Sequence, residues 1–176
     1  NSKQDLLSEK DFVAKIIAAK EAKLDENFMI IARTEALIAE KGMDEAIRRA
    51  NAYENAGADA ILIHSKKNTP DEIFEFCETW DGKIPIIVIP TSYPNVTLDE
   101  LQNHKVKMVI YANQSLRVSH WAMVEYLSKL STAKSLSDVE TKMTTMEDIF
   151  HLQEMYEIKK QEIEIEKNLK KLGYIN

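Results

Sequence analysis

The sequence at residues 27–67 is NFMIIARTEALIAEKGMDEAIRRANAYENAGADAILIHSKK, in which two short apolar runs flank a helical pattern. The runs at 27–33 and 58–64 are continuous rather than alternating, which is typical of strands in a parallel sheet. Between them, residues 44–57 have the apolar period of a helix and end at Gly57, a residue suited to a left-handed helix cap. This stretch therefore predicts a strand–helix–strand unit.

The same alternation continues along the chain in both directions. An amphipathic helix with Ser8 as a candidate N-cap precedes the first run. That helix covers residues 8–23. After the second run, the predicted segments are a helix at 69–80, a strand at 83–91, a helix at 97–104, a strand at 106–113 and a helix at 115–131. Four strand–helix units in series indicate an α/β protein with parallel strands covered on both faces.

Two architectures contain such a series: an open doubly wound sheet and a (β/α)8 barrel of the TIM type. A doubly wound sheet usually has a glycine-rich turn after its first strand, and the four glycines here form no such motif. We therefore favour the (β/α)8 barrel. Four units are half of a barrel, and an isolated half would leave sheet edges open, so we expect that an N-terminal half is missing from this chain.

Composition narrows the functional classes. The chain has 176 residues, is 44% apolar and has a formal net charge of −6, so it lacks the broad basic surface that nonspecific nucleic-acid binding needs. Its single cysteine, Cys77, cannot form an intrachain disulfide, and no apolar run approaches the roughly 20 residues that span a bilayer. We expect a cytoplasmic protein with no nucleic-acid or membrane partner. The absence of an initiator Met indicates a processed chain or part of a longer one.

The C-terminal residues, 136–176, are highly charged and mostly helical in pattern. Apolar residues occur there at nearly heptad spacing: Met155, Ile158, Ile165, Leu169 and Leu172. This spacing predicts either a helix that packs on the barrel or a partner subunit, or a surface helix with one apolar stripe. We therefore divide the chain into a half-barrel at 1–135 and a helical extension at 136–176.

Polar side chains follow each predicted strand, at the rim where a parallel barrel forms its site. They are Arg33, Thr34 and Glu35; His64, Ser65, Lys66 and Lys67; Thr91 and Ser92; and Asn113 and Gln114. An arginine there offers permanently charged donors that match a phosphoryl or carboxylate group. A neighbouring histidine can donate a hydrogen bond or carry a proton near neutral pH. Together these residues predict an anion-binding wall.

Structural interpretations remain open for the same side chains. Arg33 could pair with Glu35 or with a loop carboxylate, and a single histidine such as His64 is often structural. Residues 65–67 are expected to be solvated loop, and Cys77 is expected to pack in a helix. The remaining histidines have no metal-ligand spacing; they are His104, His120 and His151.

The stretch at 27–67 closely resembles the fifth and sixth strand–helix units of the phosphoenolpyruvate mutase family, in the isocitrate lyase superfamily. The segments PIIVIPTSYPNVT at 85–97, MVIYANQSLR at 108–117 and MEDIFHLQ at 146–153 continue the resemblance in order. It implies that this chain supplies roughly strands 5–8 of the barrel and the C-terminal helices.

The resemblance also implies an activity. The family's Mg²⁺-dependent isomerases interconvert phosphoenolpyruvate and phosphonopyruvate, making the carbon–phosphorus bond of phosphonate biosynthesis. In that family the arginine matching Arg33 contacts the transferring phosphoryl group, and the histidine matching His64 contacts the substrate. Asn1 and Ser2 resemble the end of a substrate-facing gating loop, although the sequence between them and Ser8 is shorter than in the family. The metal ligands are expected in the missing N-terminal half, so this chain alone should be inactive.

Other functions remain as alternatives. Phosphonopyruvate hydrolase is a relative that transfers the phosphoryl group to water; the segment at 90–97 looks like the hydrolase, whereas YANQSLR at 111–117 looks like the mutase. Carbon–carbon lyases of the superfamily tend to carry an acidic residue where His64 stands. A noncatalytic half-barrel module is a further alternative. The family also implies a homodimer or homotetramer that exchanges the last barrel helix, here 115–131.

Overall fold

Strands and helices alternate along the first two thirds of the chain, as the sequence predicts. The computed structural model describes residues 5–140 and 143–175. The strands are β1 (Ile31–Thr34), β2 (Ala60–Ile63), β3 (Ile86–Val88) and β4 (Val106–Val109). The helices are α1 (Glu9–Ala22), α2 (Met43–Asn55), α3 (Asp71–Thr79), α4 (Leu98–Asn103), α5 (Gln114–Leu130), α6 (Met146–Leu152) and α7 (Met155–Lys171).

The four strands form one parallel sheet in the order β1-β2-β3-β4. Arg33 on β1 is in register with Leu62 on β2, and Leu62 is in register with Ile87 on β3. The register shifts by one residue between β3 and β4, because Ile86 aligns with Val106 and Ile87 aligns with Met108. Parallel pairing in chain order confirms the predicted strand–helix units; their place as half of a closed barrel remains a prediction.

The two faces of the sheet are packed differently. Helices α1 to α4 contribute to the main core against one face, with fully buried side chains such as Tyr53, Ile63 and Phe76. Cys77 is buried in the same core, which confirms its expected packing role. The opposite face has a smaller apolar cluster consisting of Ala60, Leu62, Ile87 and Ile89, with Ile110 packed against it.

Local signals place the helix ends. The hydroxyl of Ser8 accepts a hydrogen bond from the backbone N–H of Asp11 at 3.1 Å, so the predicted N-cap is confirmed. Gly57, just after α2, has φ +97°, the left-handed conformation that the sequence predicts at this position. Pro70 is the N-cap residue of α3 and directly precedes its first turn.

The C-terminal region is more broken than the sequence predicts. A short 3₁₀ turn at Leu136–Asp138 precedes α6 and α7, and Glu154 separates these two helices in the left-handed region with φ +53°. Contacts divide the chain into two compact units, Asn1–Gln114 and Ser115–Asn176. The boundary expected after residue 135 remains a prediction. Among the described residues, no helix has the length and apolar character needed to cross a bilayer.

Candidate active site

Arg33 and His64 lie on the same face of the sheet, at the carboxyl ends of neighbouring strands. Arg33 is in register with Leu62, and His64 follows Leu62 by two residues, the repeat that returns a side chain to the same face of a strand. Thr34 and Ser65 alternate to the helix-covered face, and both are fully buried. The strand register therefore brings together the two residues that the sequence singles out.

A carboxylate holds the Arg33 side chain. The Nε of Arg33 donates a hydrogen bond to Oε1 of Glu35, two residues along the chain. The Arg33 side chain is 43% exposed, whereas that of Glu35 is 22% exposed. This contact uses one of the five N–H donors of the guanidinium and leaves the two terminal amino groups for a ligand. The predicted pairing with Glu35 is thus compatible with anion binding.

His64 is half-buried, and its pKa is lowered from the ordinary value. The main cause is burial, which disfavours the charged imidazolium; the positive charge of Arg33 lowers the pKa further, and the carboxylate of Glu35 opposes both effects. His64 is therefore neutral at pH 7. Its Nδ1 atom is buried and has no hydrogen-bond partner among the described residues.

Three more buried side-chain atoms of the described residues share this property. One of them, Tyr93 Oη, belongs to a side chain of the main core, and the other two lie near the ends of neighbouring strands. Thr91 Oγ1, after β3, and Asn113 Oδ1, after β4, are buried and lack a hydrogen-bond partner within the described part of the chain. Buried polar atoms in native proteins are nearly always hydrogen-bonded to protein or water. With His64 Nδ1, these atoms give three consecutive strand ends polar groups that a ligand or water can satisfy.

Residues 64–67 form a turn that is tied to its surroundings. The Ser65 hydroxyl donates to Glu72 Oε2 of α3 at 2.5 Å and accepts from the backbone N–H of Lys67 at 3.0 Å. Lys66 Nζ forms an ion pair with Glu40 Oε1 at 2.6 Å. The expectation that Ser65 is solvated loop is wrong, because the strand alternation continues through it and turns its side chain into the helix-covered side.

The described residues do not fit a magnesium site. Mg²⁺ prefers an octahedron of oxygen ligands, with one or two carboxylates among them. No group of three or more histidine, cysteine, aspartate or glutamate side chains within 5–140 and 143–175 is arranged to hold a metal ion. Near the strand ends, the carboxylate of Glu35 binds Arg33 and that of Glu72 binds Ser65. These residues therefore support no catalytic step through a metal.

Asn1 and Ser2, which resemble the end of the family's gating loop, lie outside the described residues.

The family can be assigned by comparison with known proteins. A family model described as phosphoenolpyruvate phosphomutase matches residues 1–131. The chain belongs to this family. The chain is 42% identical over 159 residues to a phosphoenolpyruvate phosphomutase from Tetrahymena pyriformis, which corresponds to 90% of this chain and 53% of that protein.

A second relative has a different activity. The chain is 42% identical over 154 residues to a phosphonopyruvate hydrolase from Variovorax sp. (strain Pal2), which corresponds to 87% of this chain and 53% of that protein. Both relatives are enzymes, and the two identities are equal. Sequence identity therefore does not separate mutase from hydrolase for this family member.

Solved structures agree with the assignment. A phosphoenolpyruvate phosphomutase from Streptomyces platensis subsp. rosaceus superimposes with a TM-score of 0.88 at 38% identity, over 93% of this chain and 57% of that one. A phosphonopyruvate hydrolase in complex with oxalate and Mg²⁺ superimposes with a TM-score of 0.86 at 40% identity, over 93% and 58%. The fold is thus the α/β, TIM-barrel-like fold of the superfamily, and the chain spans about half the length of the relatives it matches.

Proposed function

We propose that this chain is part of a phosphoenolpyruvate mutase, an isomerase that interconverts phosphoenolpyruvate and phosphonopyruvate in phosphonate biosynthesis. The observation that carries the proposal is the placement of Arg33 and His64 on one sheet face, at the ends of neighbouring parallel strands. In barrel enzymes this rim is where substrates react. The chain would supply strands 5–8 of the barrel and the arginine–histidine wall of the site.

In this proposal Arg33 binds the phosphoryl group while it is transferred. The transition state of phosphoryl transfer is largely metaphosphate-like, with negative charge spread over three equatorial oxygens. Preorganised donors stabilise a transition state more than water does, because they need little reorganisation as charge develops. The guanidinium of Arg33 is such a donor, since Glu35 already holds it in place. Arg33 therefore acts as the electrostatic stabiliser.

His64 acts in this proposal as a neutral hydrogen-bonding group. Its lowered pKa means that the ring carries one proton at pH 7, so one nitrogen donates and the other accepts. A neutral ring beside Arg33 adds a directed contact to the substrate without repelling the guanidinium. Thr91 and Asn113 offer further polar atoms from the next two strand ends.

Mg²⁺ dependence is a further part of the proposal. Its support is the solved structure of a phosphonopyruvate hydrolase, which is in complex with oxalate and Mg²⁺. Because the described residues form no carboxylate set for the metal, we assign its ligands to parts of the protein beyond this chain. The metal would supply charge neutralisation to the substrate, while the residues of this chain bind and orient the phosphoryl end.

Phosphonopyruvate hydrolase is the second candidate function. It is supported by the relative from Variovorax, which is as similar to this chain as the mutase from Tetrahymena. The two reactions begin with the same cleavage of a carbon–phosphorus bond. They differ in the acceptor, which is the pyruvate enolate oxygen in the mutase and water in the hydrolase.

A coupled assay distinguishes the two candidates. The complete protein is incubated with phosphonopyruvate, Mg²⁺, lactate dehydrogenase and NADH. If the protein is a hydrolase, it releases pyruvate, and lactate dehydrogenase oxidises NADH at once as it reduces that pyruvate to lactate. If it is a mutase, NADH is oxidised only after pyruvate kinase and ADP are added and convert phosphoenolpyruvate to pyruvate. Oxidation that requires pyruvate kinase supports the mutase, and immediate oxidation overturns it in favour of the hydrolase.

We also propose that the protein is a homodimer or homotetramer that exchanges the helix α5. No residue of α5 is buried among the described residues, although several large apolar side chains lie on it. They are Leu116, Val118, Trp121, Met123, Val124 and Leu127. An apolar surface of this size is typical of an interface between subunits. Light scattering of the complete protein should give a dimer or tetramer, and a monomer would contradict this proposal.

A further inference from the structure

Ser65 is an unusual polar residue for the end of a strand, because it is fully buried. It directly follows His64 and points to the helix-covered side of the sheet. A buried hydroxyl must be hydrogen-bonded, and that of Ser65 has both a donor and an acceptor role in its turn. The position therefore demands a small side chain with a hydroxyl group rather than any loop residue.

The partner of Ser65 comes from the next helix. Glu72 lies in the first turn of α3, and its Oε2 accepts the Ser65 hydroxyl at 2.5 Å. A hydrogen bond to a carboxylate is stronger and shorter than one between neutral groups. It anchors the end of β2 to a helix that is itself fixed in the core through Ile73, Phe76 and Cys77.

The hydrogen bond from the Lys67 backbone closes the turn on its other side. The backbone N–H of Lys67 donates to Ser65 Oγ at 3.0 Å. The Ser65 hydroxyl is therefore hydrogen-bonded both to the backbone that follows it and to Glu72 on α3. His64 is the residue immediately before this anchor. Its ring has no hydrogen-bond partner at the buried Nδ1 among the described residues, so the orientation of the ring depends on how firmly the backbone is held.

We propose that Ser65 and Glu72 form a latch that positions His64 beside Arg33 at the strand ends. The inference rests on the proposed function, since it assigns to the latch an effect on substrate turnover. Ser65 and Glu72 face the helix-covered side and do not touch the substrate; they are positioning residues that act through His64. Displacement of a positioned group by about 1 Å can cost about 100-fold in rate.

The test replaces Glu72 and compares it with a matched residue in the same helical turn. Glu72→Ala removes the acceptor of the Ser65 hydroxyl. Asp71→Ala removes another carboxylate of the first turn of α3, one that accepts the Thr69 hydroxyl at 2.8 Å. Both variants lose one hydrogen bond and one favourable charge at the helix N-terminus, but only Glu72→Ala releases the latch.

We expect Glu72→Ala in the complete protein to lower kcat for phosphonopyruvate by about 10- to 100-fold with little change in KM. Glu72→Gln retains an acceptor oxygen and should restore most of the activity. Asp71→Ala should keep kcat within about twofold of the unmodified protein. Ser65→Ala should match Glu72→Ala; because Glu72 is only partly buried, its replacement remains informative even if Ser65→Ala fails to fold.

A double-mutant cycle with His64→Ala makes the test specific. If the latch acts through His64, Glu72→Ala should change kcat by less than about twofold once the imidazole is gone. An equal loss in both backgrounds, or an equal loss in Asp71→Ala, would overturn the inference while leaving the proposed function intact. Full activity of His64→Ala alone would instead remove His64 from the proposed site, and the latch with it.

Discussion

Replacement of Arg33 by alanine is expected to lower kcat/KM of the complete protein by about 10³- to 10⁴-fold while the fold remains intact. The structure engages Nε with Glu35 and leaves two terminal amino groups for the phosphoryl oxygens. Loss of one preorganised donor typically costs about 10²- to 10³-fold, and donors that act together are not additive. The expected loss corresponds to about 4–5.5 kcal/mol of transition-state stabilisation.

The effect of the same change on stability should be small. The Arg33–Glu35 pair is partly exposed, at 43% and 22%, and such pairs contribute about 1 kcal/mol or less. A change of that size shifts the melting temperature by no more than about 4 °C in a protein of this size or larger. The contrast between a large kinetic and a small thermal effect is what distinguishes a substrate ligand from a structural arginine.

The assay measures steady-state turnover of phosphonopyruvate and thermal unfolding by circular dichroism for each variant. Arg48→Ala is the matched control, because Arg48 on α2 is also exposed and paired with carboxylates, those of Glu45 and Glu9. It should retain full activity. Arg33→Lys should be intermediate, since it keeps the charge but loses the planar fork of donors. Unchanged turnover in Arg33→Ala would refute the role assigned to this residue.

Four further predictions concern ionisation, reactivity and stability. Arg33→Gln should raise the pKa of His64, measured by ¹⁵N NMR of the imidazole, because the guanidinium lowers it; a further decrease would contradict this. Since the folded pKa lies below the unfolded value of about 6.5, His64 should contribute less stability as the pH falls from 6.5 through the folded pKa. Burial raises the pKa of Cys77 to about 12, so iodoacetamide should label it only on unfolding, as peptide mapping would detect; rapid native labelling would contradict its burial. Glu54→Ala should lower the free energy of unfolding, measured in urea, by about 2 kcal/mol. Oε1 of Glu54 accepts hydrogen bonds from the backbone N–H groups of Lys83 and Ile84, just before β3, at 2.7 and 3.1 Å. A loss below about 0.5 kcal/mol would refute this prediction.

Much of the fold follows from sequence patterns. Continuous apolar runs between helical periods specify parallel strands, and Gly57 and Ser8 specify helix ends through local backbone chemistry. The positions of Arg33 at the end of β1 and of His64 just after β2 follow as well, because each comes at the end of an apolar run. Local signals are sufficient for these features, since each depends on residues only a few positions apart.

Other features depend on contacts that sequence spacing does not reveal. Ser65 looks like a solvated loop residue until the alternation of β2 is continued past His64 and Glu72 is brought back by the turn into α3. The break before α7 is also hidden, because Glu154 adopts a left-handed conformation that usually calls for glycine or asparagine. The burial of Thr91 Oγ1 and Asn113 Oδ1 likewise depends on how the segments after β3 and β4 pack in three dimensions.

The most direct test of the proposed mutase activity is a phosphorus NMR spectrum of phosphonopyruvate after incubation with the complete protein and Mg²⁺. The proposal predicts that the phosphonate resonance is replaced by that of phosphoenolpyruvate, with no inorganic phosphate formed at the same rate. Arg33→Ala should leave the phosphonate resonance unchanged over the same period. Conversion to inorganic phosphate and pyruvate, or no conversion at all by the unmodified protein, would contradict the proposal.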